Sequence, residues 1–430
     1  MVPDPTARSA SARPAGLPGA ARRLVVSNAL DASGRSASDV ALDVLAVLAL
    51  GLGTDQMGVL MALSGLGFLL FGVPIGILVD RRLSPRLLAA AGLAKAALLA
   101  TLVAAWALDA LTFVHLAGVM ALLGVLTVLA ETIQTTLVPR LVAPTSISRL
   151  IARLESADAS LGLIVPAAAG LLVGALGAGP VLGVAAAFLA AGGLVALKVR
   201  MAPAAPSPAS EPAEATAAVV LSRWARFWGD AAYGWTALRH TPLLWLLTLS
   251  SVAANIGMAL FAPVEAVWVL TDLQLGPEFL GFQLTVGALG ALAASSVAAR
   301  AIEVVGEGGC VLIGSVGCAL VVVLHLAVLV DRTYARPLLI AGVGLWGFMV
   351  VLGNIANAGI FARACPEGTL GRVSAMRRTL TRGSAPVATL LGGAAGAAWG
   401  VGWVLVGWQV LALLAFAFAL AATRRLRRTL

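Results

Sequence analysis

Between Leu24 and Ala422 the chain offers about twelve apolar stretches of roughly 20 residues, the length a helix needs to cross a bilayer. They run over 24–50, 57–80, 86–108, 112–137, 154–176 and 179–199. After a gap they resume over 243–270, 279–302, 308–330, 336–362, 374–398 and 402–423. Charge sorts between them. Of the 29 Lys and Arg residues, all but Arg35, Lys95, Arg332 and Arg336 fall on one side of the folded string. Basic loops stay in the cytoplasm, so the pattern predicts an all-α membrane protein of twelve transmembrane helices with both termini cytoplasmic.

A soluble reading fails on composition, with 60% hydrophobic and only 11% charged residues, about half the charge of a globular domain. The net charge of +9 follows from the basic cytoplasmic loops, so no nucleic-acid partner is expected. Three cysteines (Cys310, Cys318, Cys365) and three histidines (His115, His240, His325) show no metal spacing. Neither a metal, a cofactor nor an enzymatic activity is expected. Abundant Ala, Gly and Arg with only two Lys point to a GC-rich bacterial genome and a multi-pass protein of the bacterial plasma membrane.

Residues 1–20 read as a disordered cytoplasmic tail and 424–430 as a basic one. Two six-helix bundles, 21–199 and 241–423, flank a cytoplasmic linker over 200–240. Its first part, Met201 to Thr216, is rich in Pro, Ala and Ser. Val219 to Leu238 then interleaves Trp224, Phe227, Trp228 and Trp235 with Arg223, Arg226 and Asp230, the pattern of an amphipathic helix lying at the interface. The bundles repeat one another. Arg140, Pro144 and Arg149 find Arg363, Glu367 and Arg372 a constant 223 residues later, Asp80 finds Glu303 at the same offset, and Pro166 finds Pro386 at 220. Pseudo-symmetric six-helix halves with a site between them form a transporter plan.

Gly76-Ile-Leu-Val-Asp80-Arg81-Arg82, ending the second span, resembles the loop signature of the major facilitator superfamily, although Leu83, Ser84 and Pro85 depart from it. The resemblance implies a cytoplasmic gate. Gly76 would let the second span approach a neighbour, and Asp80 with Arg81 would hold the gate shut. Leu137-Val-Pro-Arg140, Ala152-Arg153-Leu154-Glu155-Ser156-Ala157 and Gly371-Arg372-Val373-Ser374-Ala375 resemble a branch of that superfamily that exports macrolides and siderophores, adding Arg153, Glu155 and Arg372 to the gate. In the fifth span the antiporter pattern of that superfamily survives only as Pro166 and Gly170, with Leu161, Val165 and Ala169 in place of glycines. The fourth span has no mid-span Arg, and its only ionisable residue is Glu131.

The first span carries Asp31, Arg35, Asp39 and Asp43 at intervals of four, on one face of a helix. Charges at mid-bilayer cost at least ~2.5–3.5 kcal/mol each on insertion scales, so this face should meet a cavity or partners. Two readings stand. In one, Arg35 pairs with Asp31 and Asp39 as a ladder that makes the span tolerable. In the other, Asp39 or Asp43 gains and loses a coupling proton. Asp43 has no basic residue within one turn, whereas Asp31 lies near the cytoplasmic end and stays hydrated. Arg35 and Glu131 complete the proton-coupling candidates. Lys95, which snorkels or pairs with an acid of the first span, joins Asp31, Asn255, Glu265, Trp346, Asn354 and Asn357 as substrate-cavity candidates, Glu265 alternatively sitting solvated near the outer interface. Trp346, Phe261, Trp268 and Phe348 either offer aromatic surface to a bulky ligand or, the commoner case, face lipid as filler. The expectation is a monomeric exporter of a bulky, largely apolar small molecule, driven by proton antiport. Nutrient uptake or uniport, and a transport-inactive membrane sensor, are the alternatives.

Overall fold

The computed structural model describes residues 18–143, 146–200, 229, 232–365 and 369–429, and among them the chain is almost entirely helical. The helices are α1 (Gly19–Val44), α2 (Thr54–Arg82), α3 (Pro85–Ala107), α4 (Phe113–Leu141), α5 (Ile147–Leu176) and α6 (Ala178–Leu197). After the linker come α7 (Pro242–Val267), α8 (Pro277–Val330), α9 (Ala335–Ala364), α10 (Leu370–Gly383), α11 (Ala385–Trp399) and α12 (Val401–Thr429). Among the described residues, nine helices are long and apolar enough to cross a membrane. α1 is not one of them, because its charges are too many.

Two expected spans take a different form. The stretches 279–302 and 308–330 both fall in α8, as two arms meeting at Gly306, whose φ of 73° is outside the helical region. Both arms pack on α9, Gly290 against Gly344 and Gly314 against Gly353. The stretch 374–398 is divided into α10 and α11 around Ser384, because Pro386 has no N–H to carry a helix through that turn. Of the expected interfacial helix, Trp224, Phe227 and Trp228 lie outside the described residues. Over 232–240 the chain is helical, and Trp235 meets Trp245 edge-on at 5.4 Å with Arg239 over its ring.

The repeat extends to backbone detail. α1 ends in a π-helical turn, Leu45–Ala49, and α7 in another, Trp268–Asp272. Each is closed by a bond five residues long, Leu50 N–H to Leu45 O and Leu273 N–H to Trp268 O. The chain then turns through a left-handed residue, Gly51 in the first half and Gln274 in the second, the latter a conformation that non-glycine residues adopt rarely. Ser27 donates to Gly192 O at 2.9 Å between α1 and α6, and Ser250 donates to Ala415 O at 2.8 Å between α7 and α12, both pairs spaced 165 residues apart.

Glycines bring the two halves into contact. A Cβ on Gly170 of α5 would lie 2.1 Å from Gly281 Cα of α8, and one on Gly58 of α2 would lie 3.0 Å from Gly393 Cα of α11. Thr54 donates to Gly393 O across the same seam. These approaches cluster at the end of the bundle that carries the loops at Gly53 and Gly276, hereafter the tight end. The opposite, basic end carries Arg82, Arg149 and Lys198. Gly76, expected to mediate close helix packing, faces open space with nothing within 4 Å of a Cβ. That work on α2 falls to Gly58, Gly65 and Gly67, which lie nearer the tight end.

Candidate functional site

A cavity of about 350 Å³ lies between the halves. Arg35, Ser38, Asp39 and Leu42 of α1, Met61 and Ser64 of α2, and Met120, Leu123, Thr127 and Glu131 of α4 form one wall. Arg382, Pro386 and Thr389 form the other. The break between α10 and α11 therefore faces the cavity. At the tight end the glycine seams close it, while Glu131, Asp158 and Arg382 keep exposed or half-exposed side chains towards the basic end.

Arg35 and Asp31 of α1 are partnered across helices, and the expected ladder along α1 does not form. Arg35 lies 3.9 Å from Glu131 of α4 and 3.9 Å from Asp158 of α5. Asp158 also accepts from Asn28 Nδ2 at 3.2 Å. Residues four apart share a face, but a long guanidinium arm reaches a neighbouring helix more easily than it folds back along its own. Asp31 is likewise not left hydrated beside Arg35. It accepts a hydrogen bond from Lys95 of α3, an ammonium only 1% exposed. Arg35 keeps one polar hydrogen without a partner, since its Nε is buried and unbonded.

Asp39 is open to the cavity, one turn beyond Arg35. Asp43 is half-buried a further turn towards the tight end, where it feels the charges of Asp39 and of Glu265 on α7. Glu265 is itself half-buried. Sequence reasoning passed over Asp158, which directly follows the Ala152–Ala157 stretch near the start of the fifth span. An acid inside an apolar run was the signal that could have found it.

The other candidates divide. Asn255 is exposed and bonds its own helix through Ser251 O, and Asn357 donates to Ser251 Oγ at 3.1 Å. Asn354 is exposed and Trp346 packs against the core of the second half, and neither lines the cavity. Phe261 and Trp268, expected to face either a ligand or lipid, are instead 2% and 1% exposed. They form an aromatic cluster with His325 and Trp408, Phe261 stacking on Trp408 at 5.0 Å. Phe348 packs into the core beside Leu352. Of the expected gate, Arg153 and Glu155 are exposed and make no ion pair among the described residues. The side chains of Asp80, Arg81 and Arg372 lie outside the described part.

Solved structures with the same fold include a nucleoside transporter, NupG (14% identity, TM-score 0.68, covering 94% of this chain and 98% of that one). A bacterial homologue of the iron transporter ferroportin, captured in an inward-facing state, matches at 13% identity and TM-score 0.70 over 94% of this chain and 98% of its own. A POT family transporter in complex with a conjugated peptide matches at 12% and 0.65, over 93% of this chain and 94% of its own. Among curated proteins none matches the sequence. The family model for the Major Facilitator Superfamily matches residues 24–265, more than half of the chain. The protein belongs to the Major Facilitator Superfamily as a multi-pass membrane transporter rather than an enzyme.

Proposed function

We propose that the protein exports a bulky, largely apolar small molecule across the bacterial plasma membrane, by alternating access and in exchange for protons. In this reading it works as a monomer of twelve spans, with bundles 21–199 and 241–423, both termini and the basic end cytoplasmic, and the 200–240 linker on the same side. The observation that carries the reading is the cavity. Leu42, Met61, Met120, Leu123 and Pro386 give it an apolar lining, and Met in particular adapts to varied shapes. Set into that lining is an acid, Asp39, with Asp43 one turn beyond. A carboxyl group in such a place is stabilised by a proton in one state and by a cation in the other. Rocking of the halves about the glycine seams would present it to each side in turn.

Transport in proteoliposomes tests the coupling. With a panel of fluorescent aromatic probes, the wild-type protein is expected to accumulate probe against its gradient when a pH difference is imposed. Asp43→Asn should still bind and exchange probe, yet lose the response to the pH difference by at least about tenfold, the size expected when a group that must be ionised in one state is lost. Full proton-driven transport by Asp39→Asn, Asp43→Asn and Glu265→Gln alike would reject this coupling path. Topology has its own check. Cysteines replacing Arg82 and Arg149 should react only from the cytoplasm, and one replacing Asp272 only from outside. External labelling at position 82 would invert or break the twelve-span plan.

A further inference from the structure

Arg382 lines the wall opposite the acids, and the same helix, α10, carries a second arginine, Arg377. Arg377 of α10 is half-buried and makes no ion pair among the described residues. One guanidinium nitrogen reaches Ser251 Oγ of α7 at 3.4 Å, and the guanidinium carbon lies 4.7 Å from the centroid of the Phe361 ring of α9. Ser251 also receives the Asn357 amide, whose other polar end is buried without a partner. Turned over, that amide would accept from Ser251 and turn its own donors to the side where its oxygen now lies unpaired. Arg382, a little over one turn further along α10, lines the cavity directly, across from Asp39 and Glu131, and makes no ion pair among the described residues.

The repeat shows which way this cluster faces. Ser251 is the counterpart of Asn28, and Met258 and Ala262 are the counterparts of Arg35 and Asp39, at the same 223-residue offset. On α1, Arg35 and Asp39 line the cavity while Asn28, on the same stripe, is buried against Asp158 of α5, so Ser251 and Asn255 lie on the equivalent stripe of α7. In the first half this stripe holds Arg35 between Glu131 and Asp158. In the second half Arg377 stands beside the neutral Ser251 and Asn357, with no ion pair among the described residues. A guanidinium pairs best with a planar or tetrahedral oxyanion.

We infer that Arg377, Ser251 and Asn357, with Arg382 at the cavity edge, form an oxyanion subsite, so that the cargo is an amphiphile bearing a carboxylate or phosphate on an apolar body. The inference rests on the reading of the cavity as a transport path, and it names the chemical class that path accepts. The acid on the facing wall then serves the proton, and the arginine serves the cargo.

Binding to the purified full-length protein tests it, in neutral detergent without added lipid and read by thermal shift and intrinsic fluorescence. The probes are 2-naphthoate, 2-naphthyl phosphate, methyl 2-naphthoate and inorganic phosphate. The two naphthyl anions are expected to bind at least tenfold more tightly than the ester. Arg377→Gln should remove that preference, and Arg377→Lys should restore part of it. Arg382→Gln should weaken anion binding with less effect. Inorganic phosphate should compete with the naphthyl anions but bind more weakly, since it lacks the apolar body. Anion binding no tighter than that of the ester, absent altogether, or unchanged in Arg377→Gln would overturn the subsite. Repeating the measurement in phosphatidylglycerol nanodiscs separates cargo from lipid. If naphthoate binding is retained, the site belongs to a soluble anion. If it is lost there but present in phosphatidylcholine, the site is a headgroup site and the cargo assignment falls. Anion binding that depends on Arg377 without any proton-driven export would leave the subsite standing and reject the export reading instead.

Discussion

Valine in place of Gly281 is expected to hold the tight end open. A Cβ at that position would sit 2.4 Å from the Gly170 carbonyl carbon and 2.5 Å from the Leu171 nitrogen, backbone atoms that no rotamer change can move aside. α5 and α8 belong to different halves, so the overlap can be relieved by parting the halves without unfolding either. Overpacking of this kind costs about 1–3 kcal/mol, and inverting a two-state equilibrium from 1:99 to 99:1 takes about 5.5 kcal/mol. One valine therefore moves the balance far. Gly58→Val on the second seam, where a Cβ would meet Thr389 O at 2.7 Å, should add to it. The readout is a cysteine replacing Met61, which lines the cavity, in a background lacking the half-buried Cys365. An impermeant thiol reagent added outside should label it at least about tenfold faster in Gly281→Val than in the parent. Gly392→Val is the control. There a Cβ would lie 1.8 Å from Leu260 O, between α11 and α7 of one half, where rocking gives no relief, so loss of folded protein is expected. If Gly281→Val also fails to fold, or folds with unchanged accessibility, the seam is not where the halves move.

The helices and their repeat were legible in the sequence because both depend on local runs. An apolar stretch must become a helix in a bilayer, and loops at a constant 223-residue offset reveal duplication without any coordinates. The same logic shows why α1 stood out, since four charges on one helical face need an explanation whatever they touch. What they touch was not legible. Periodicity says that Arg35 shares a face with Asp31 and Asp39, but not that α4 and α5 bring Glu131 and Asp158 within 3.9 Å while α3 brings Lys95 to Asp31. Aromatic residues misled for a related reason. Phe261 and Trp268 lie on a span expected to line the cavity, yet α8 and α12 cover them with His325 and Trp408. Gly76 resembled a packing glycine because it stands in a motif, whereas the glycines that touch backbone lie where helices of the two halves cross. Arg377 is one of the basic residues that sort to the cytoplasmic side, and that it makes no ion pair among the described residues is something only a structure can display.

Lys95→Met is expected to be among the most destabilising single substitutions in the first half. The ammonium is 1% exposed and its partner Asp31 keeps little contact with water. Removing the lysine strands a carboxylate between α1, α3 and α6, close to where Gly192 packs against the Asp31 backbone. Breaking a buried pair from one side costs about 3–5 kcal/mol, because the surviving charge has lost its counter-charge and cannot recover its hydration. Asp31→Asn strands the ammonium and should cost a similar amount. The double variant Asp31→Asn/Lys95→Met removes both charges, and replacing a whole buried pair is often neutral or stabilising. It should therefore melt near the parent in detergent, with a coupling energy of about 3 kcal/mol between the two sites. Additive losses in the double variant would mean that each side chain is held by something other than its partner. The double variant also separates structure from coupling. If it folds and still drives probe transport with an imposed pH difference, the pair only makes α1 tolerable in the membrane, and the proton must travel through Asp39 and Asp43. If it folds but no longer responds, Lys95 releases Asp31 during the cycle, and proton coupling begins one turn closer to the basic end than Arg35.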